Sequence, residues 1–321
     1  MSGTSILGVN YAFPRGTRTV DELAVAGQLR SRPAVLRGFG FGSVHVAERE
    51  SPYDLGIQAT QSLLDELDLD PDSVGLLLYS GASSGAAFLP ASEGAAIGRE
   101  GRASDRFRFP ASRLQYELGL GNASVIALDQ LTSTGLFAAI RVARSLCSTE
   151  GIDRALCVST EVFPVDGGRE TIFNCTSDAA CAVLVGRDTG RNRIVASSHV
   201  TKGYYWDGVG PHDEIVGSYF PTARSVIRRT IEDAGWRPED VDWVIPHNVS
   251  LRSWEILLGL SGLSRARLWS RNIPRDGHTL AGDNFINLRD ALQTGSVRSG
   301  EKLLLFSYGF GAHWTAIAMV A

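Results

Sequence analysis

Two stretches of the chain carry the same succession of polar and apolar positions. Residues 65–80 read DELDLDPDSVGLLLYS, and residues 232–247 read EDAGWRPEDVDWVIPH. Pro71 answers Pro238, Asp72 answers Glu239, and Val74 answers Val241. Each stretch follows a helical pattern, over 58–67 in the first copy and 223–234 in the second. Each then passes through a Pro–acid turn into an apolar run of the kind that forms a buried strand. The parallel continues downstream. RALCVST at 154–160 and KLLLFSY at 302–308 are short apolar runs, preceded by the helical patterns LFAAIRVARSL and NFINLRDAL. Strands alternating with helices predict α/β layers with largely parallel sheets. The two copies predict two related halves, 1–188 and 189–321, meeting near the polar turn GRDTGRNR and packing as one unit. The opening residues MSGTSILGVNYAFPRG lack the charged-then-apolar order of a signal peptide and read as a first strand.

Composition narrows the function classes. The chain has 321 residues, 44% hydrophobic and 21% charged, enough to bury a large core. A net charge of −4 offers no bulk attraction to nucleic acid or to anionic lipid. No apolar run reaches the length of a membrane span. Cys147, Cys157, Cys175 and Cys181 form no CxxC pair and no metal-like spacing with histidine. They are expected to be structural, in a reduced, cytoplasmic protein without a metal site.

In open α/β sheets, sites gather where strands end and helices begin. Three positions answer to that rule. Ser133, in LDQLTSTGLFAAI, follows the strand pattern ASVIALD and precedes a helix starting near Gly135. His247 ends VDWVIP. His278 lies in DGHTLAGDN, between the strand pattern ARLWSRN and the helix pattern NFINLRDAL. Each has a plainer reading beside it: Ser133 or Thr132 as a helix N-cap, and each histidine as a satisfied structural group. Sequence alone does not rank the six histidines, His45, His199, His212, His247, His278 and His313. One hydroxyl at a helix start and two imidazoles at comparable places in the two halves make a candidate site between the halves.

Several segments together resemble the 3-oxoacyl-(acyl carrier protein) synthase III family of the thiolase superfamily. FPASRLQYELGLGNASVIALDQLTSTG resembles the family's lead into its nucleophile, and DWVIPHNVSLR its W-x-x-P-H-Q-A-N segment. DGHTLAGDN resembles G-N-T-S-A-A-S, FSYGFGAHW the glycine-rich close, and SDAACAVLVG the G-D-G-A-G-A strand. The resemblance implies a duplicated five-layered α-β-α-β-α fold, a homodimer, and acyl-CoA or acyl-carrier-protein phosphopantetheine as substrate, with no separate cofactor. It places Ser133 where the family carries its nucleophilic cysteine, in Thr132-Ser133-Thr134-Gly135. It places His247 on the family histidine and His278 on the family asparagine. It also implies oxyanion donors from the backbone N–H groups of Ser133 and Phe310. Arg37, Arg252 and Arg289 are candidates for carrier-protein docking.

A serine hydroxyl does not ionise at neutral pH as a cysteine thiol at a helix start does, so it needs a general base within reach. An added histidine is the kind of group that supplies one. His278 or His247 fills the role, and Asp283 or Asp129 is placed to orient an imidazole. In the family, histidine and asparagine together stabilise the enolate formed when malonyl carrier protein loses carbon dioxide, and the asparagine is replaced here. The expected activity is an acyltransferase that forms acyl-Ser133 and passes the acyl group to a small-molecule or carrier-bound acceptor. The expected setting is polyketide, antibiotic or other secondary-metabolite biosynthesis. The alternatives are a serine-dependent starter-unit synthase that condenses with malonyl carrier protein, and a catalytically silent partner of an active homologue.

Overall fold

The computed structural model describes residues 3–81, 109–172, 174–187, 190–206 and 212–321. Most of the small-residue stretch at 80–109, expected to loop over the pocket, lies outside them, as do residues 188 and 189 of the expected junction.

Nine strands form one sheet among the described residues: β1 (Thr4–Ala12), β2 (Leu76–Ser80), β3 (Ser124–Leu128), β4 (Arg154–Glu161), β5 (Ala179–Arg187), β6 (Arg193–Thr201), β7 (Trp243–Pro246), β8 (Lys302–Gly309) and β9 (His313–Val320). Their order is β7-β8-β9-β6-β1-β5-β4-β2-β3. At the centre, β1 and β6 share only the pairs Thr4–Ile194 and Ser5–Arg193. Outward from that seam the sides match: β1, β5, β4, β2 and β3 on one, β6, β9, β8 and β7 on the other. Both sides have antiparallel pairs near the seam and parallel pairs at the rim.

The sheet is therefore mixed, not largely parallel. Only the pairs β2–β3, β2–β4 and β7–β8 run parallel. The reason is local for β8 and β9, which are joined by three residues, and so short a connection permits only antiparallel pairing. The segment ARLWSRN does not form the expected strand. It is a turn of 3-10 helix at Arg265–Arg267 followed by one parallel bridge, Val244 to Leu268. Two arginines and a serine interrupt its apolar run, so no buried two-residue repeat is sustained.

Among the described residues, six longer helices complete the layers: α1 (Pro52–Glu66), α2 (Pro110–Glu117), α3 (Gly135–Thr149), α4 (His212–Asp233), α5 (Leu251–Ser261) and α6 (Asp283–Gln293). The start of α1 is fixed by a capping box: Ser51 Oγ accepts from Asp54 N–H, and Asp54 Oδ2 accepts from Ser51 N–H at 2.9 Å. Strand side chains alternate between faces. Leu77, Tyr79, Leu156 and Val158 meet α1 and α2 in one core, whereas Leu76, Leu78, Ala155 and Cys157 meet α3 in a second. On the other side, Leu303 and Leu305 face α6 in that same second core, while Leu304 and Phe306 face α4 and α5 in a third. The layers run helix, one side of the sheet, helix, the other side of the sheet, helix. Phe137 of α3 and Phe285 of α6 touch in the middle layer, ring centroids 5.2 Å apart. No described helix is long and apolar enough to cross a membrane.

A fully buried ion pair anchors the loop beside the middle layer. Arg169 Nη1 meets Asp178 Oδ1 at 2.5 Å and Arg169 Nη2 meets Oδ2 at 3.1 Å, with both side chains at 0% exposure. Asp178 also accepts from the N–H groups of Ala47 and Phe163, and the Arg169 carbonyl accepts from Thr176 N–H at 2.7 Å. Replacing Arg169 by Met strands the Asp178 charge and is expected to lower stability by about 3–5 kcal/mol, measured by chemical denaturation.

Candidate active site

Ser133 sits on a tight turn between β3 and α3. Gln130 and Thr132 hold positive φ angles of 64° and 40°, which non-glycine residues adopt at a cost of roughly 1–3 kcal/mol each. Contacts around the turn hold it in place. Thr134 N–H donates to the Leu131 carbonyl at 2.9 Å, and Ser307 Oγ donates to the Ser133 carbonyl at 2.9 Å. A Cβ on Gly309 would stand 2.5 Å from the Leu131 carbonyl oxygen, so only glycine lets β8 approach this closely. Neither Ser133 nor Thr132 caps α3, and its N-cap residue, Thr134, makes no side-chain cap bond. Ser133 is 4% exposed, and its Oγ lies 3.2 Å from His278 Nε2.

His278 is held by its backbone before its ring makes any contact. Its N–H donates to the Cys175 carbonyl at 2.8 Å, and its carbonyl accepts from Ser177 N–H at 2.9 Å. The loop behind it is the one anchored by Arg169 and Asp178. Gly277, with φ 63° just before it, packs so that a Cβ would stand 2.7 Å from Val44 Cγ1. On the far side of the ring, His278 Nδ1 lies 2.5 Å from Asp283 Oδ2.

Asp283 opens α6, where the helix dipole favours an anion, and is 0% exposed. Its Oδ2 also accepts from Asn248 N–H at 2.6 Å, and its Oδ1 accepts from Thr279 N–H at 2.6 Å and Thr279 Oγ1 at 2.7 Å. A carboxylate surrounded by donors accepts from all of them. Nδ1 of His278 is therefore assigned the proton, and the Nε2 lone pair faces Ser133.

His247 directly follows β7 and is 1% exposed. Its ring stands 6.3 Å from that of His278 and packs against Trp254 and Phe306. Burial first, and His278 second, push its pKa down from 6.5 to about 3, so it is neutral across the physiological range.

Ser133, His247 and His278 open onto one cavity of about 190 Å³. Its walls include Phe310 and Arg252. Arg37 pairs with Asp21, and Arg289 with Glu66, and neither lines the cavity. Asp129 accepts from the neighbouring Gln130 N–H and bonds to no imidazole among the described residues. Sequence reasoning passed over Asn248 and Thr279, which complete the Asp283 shell, and Tyr219 and Tyr308, which line the cavity. The one available signal was the i, i+4 pair Ile215 and Tyr219 near the start of α4.

A family model for the C-terminal part of 3-oxoacyl-[acyl-carrier-protein (ACP)] synthase III matches residues 231–320. The β-ketoacyl-[acyl-carrier-protein] synthase III 2 of Streptomyces coelicolor is 30% identical over 233 residues, covering 65% of this chain and 67% of the relative. The chain belongs to the 3-oxoacyl-[acyl-carrier-protein] synthase III family. It is an acyltransferase of this family with the thiolase-like fold. The solved structure of 3-oxoacyl-[acyl-carrier-protein] synthase III from Aquifex aeolicus is similar, with a TM-score of 0.84 at 21% identity over 99% of this chain and 100% of that one. The acyltransferase ChlB3 is similar too, with a TM-score of 0.82 at 19% identity over 99% of this chain and 98% of that one. At such identities the likeness is one of fold.

Two outcomes test this geometry. A neutral buried imidazole makes the unfolded chain bind more protons than the folded one between the two pKa values, so stability falls as pH drops from 6.5 toward 3. His247→Asn is expected to remove that share of the slope, at most about 1.4 kcal/mol per pH unit, in denaturation curves across this range. Gly309→Ala is expected to push β8 off the Ser133 turn and lower activity more than stability, as measured by kcat/KM beside thermal unfolding.

Proposed function

We propose that this synthase III relative is a serine acyltransferase in which Ser133 stands in the place of the family's nucleophilic cysteine. Ser133 Oγ attacks the carbonyl carbon of an acyl-CoA or acyl-carrier-protein thioester. His278 Nε2 takes its proton, and the Asp283 carboxylate holds the ring in the required tautomer and offsets the charge that forms. The backbone N–H groups of Ser133 and Phe310 receive the oxyanion. The proton leaves with the thiol, and acyl-Ser133 remains. An acceptor then takes the thiol's place, gives its proton to His278, and carries the acyl group away.

The observation that carries this reading is the pair of contacts on one imidazole: Asp283 at 2.5 Å from Nδ1 and Ser133 at 3.2 Å from Nε2. The same pair favours transfer over condensation. An enolate needs a donor where the family has its asparagine, whereas His278 presents a lone pair there. A silent subunit has no use for so complete an arrangement. The similarity to ChlB3, an acyltransferase, agrees with transfer. A homodimer fits as well. The outer edge of β3 has no strand partner among the described residues, and an unpaired edge is a template for a second copy.

Intact mass spectrometry after incubation with a panel of acyl-CoAs is expected to show one acyl adduct, absent in Ser133→Ala. No adduct with any donor overturns the reading. Carbon dioxide release from malonyl carrier protein, with a 3-oxoacyl product, replaces transfer by condensation. Asp283→Asn is expected to slow adduct formation roughly a thousandfold or more in quenched time courses, because the amide stabilises the wrong tautomer.

A further inference from the structure

Three hydroxyls on the cavity wall have no protein partner among the described residues. Ser250 is 5% exposed and its Oγ makes no hydrogen bond. Tyr219 and Tyr308, both half-buried, stand edge to face, ring centroids 5.3 Å apart at 88°, and neither hydroxyl bonds to a protein group among the described residues. The Ser250 hydroxyl, removed from water without a partner, is a cost that a bound molecule relieves, and the two half-buried phenols line the same cavity. Both phenols stay protonated: burial raises the pKa of each.

The wall carries one fixed charge among the described residues, that of Arg252, whose side chain is 71% exposed. Arg252 meets Glu255 at 3.2 Å. His247 is neutral, and Asp283 lies behind His278, enclosed by its own donors. Among the described residues, the wall offers an anionic acceptor no unpaired cation, and a cationic one no accessible carboxylate. It offers hydroxyls and the Asn174 amide, framed by Phe39, Ile215, Phe220 and Phe310.

We infer that the acceptor is a neutral alcohol with a second hydroxyl beside the one acylated, and that Tyr219, Tyr308 and Ser250 hold that second hydroxyl. This rests on the acyl-Ser133 reading. The acceptor O–H gives its proton to His278 Nε2 while its oxygen bonds to the acyl carbon. The bond from that carbon to Ser133 Oγ breaks, and Oγ recovers the proton from His278. The products are an ester and the free enzyme. Tyr219, Tyr308 and Ser250 act as positioning residues in this step.

The test begins from full-length protein whose acyl-Ser133 adduct has been seen by mass, so failure of the earlier reading shows itself before this one is probed. Loss of the adduct is then followed with 1,3-propanediol, 1-propanol, 3-hydroxypropanoate and 3-aminopropanol. The diol is expected to discharge the enzyme about three to ten times more efficiently than propanol, the worth of one hydrogen bond, and faster than either charged analogue. Tyr219→Phe and Tyr308→Phe are expected to bring the diol-to-propanol ratio close to one. They do so by raising the half-saturating diol concentration more than they lower the maximal rate. Ser250→Ala serves in the same measurement should either phenylalanine variant fail to fold. Four results overturn the inference: equal discharge by diol and propanol, faster discharge by a charged analogue, a ratio that no variant changes, or no discharge by the diol.

Discussion

The arrangement of the site depends on one buried carboxylate. Asp283 is fully enclosed and accepts from His278, Asn248 and twice from Thr279. A carboxylate taken out of water is tolerable only when its oxygens are engaged, and the loss of one donor leaves the rest to carry an unpaired charge. The requirement fixes more than the imidazole. It draws the residue after His247 against the start of α6, so the two histidine loops share an anchor. Asn248 extends the tie, with its Nδ2 donating to the Gly277 carbonyl and its Oδ1 accepting from Asn287, both at 2.8 Å. His278 is therefore oriented from both sides of its own loop.

Two imidazoles whose ring centres are 6.3 Å apart differ in chemistry because their surroundings differ. His278 has a carboxylate behind it. His247 has Trp254 and Phe306, with no anion in contact, and burial first and His278 second lower its pKa. The difference follows from where α6 begins: its first residue reaches His278 by the ring and the His247 loop only through backbone.

Much of this was legible in the chain. The repeated Pro–acid turns mark matching positions, at Pro71 before β2 and Pro238 before β7, because a turn followed by an apolar run is a local signal. Ser133, His247 and His278 stand out because each lies where a strand or loop feeds a helix, and Asp283 because it lies five residues after His278. Other features were not legible. Strand direction in the sheet follows from connections, not from hydropathy. Two arginines in ARLWSRN outweigh its apolar residues only in the context of the rim. Asn248 and Thr279 reach Asp283 partly through backbone N–H groups, which every residue but proline carries and which leave no mark on a sequence. Tyr219 and Tyr308, 89 positions apart, meet only once α4 has packed on the sheet.

The lone bridge between Val244 and Leu268 is the remnant of a fifth position on the C-terminal side of the sheet, matched on the other side by the full strand β3. There Trp269 N–H donates to the Val244 carbonyl at 3.0 Å, and β7 itself ends in Pro246, which has no N–H to offer. The two rims, though copies in outline, are thus unequal: one can extend a ladder and the other is blunted. A sheet with two adhesive rims would add copies without end, whereas a sheet with one can only close upon a single mate. The imperfection of the repeat leaves one such rim among the described residues.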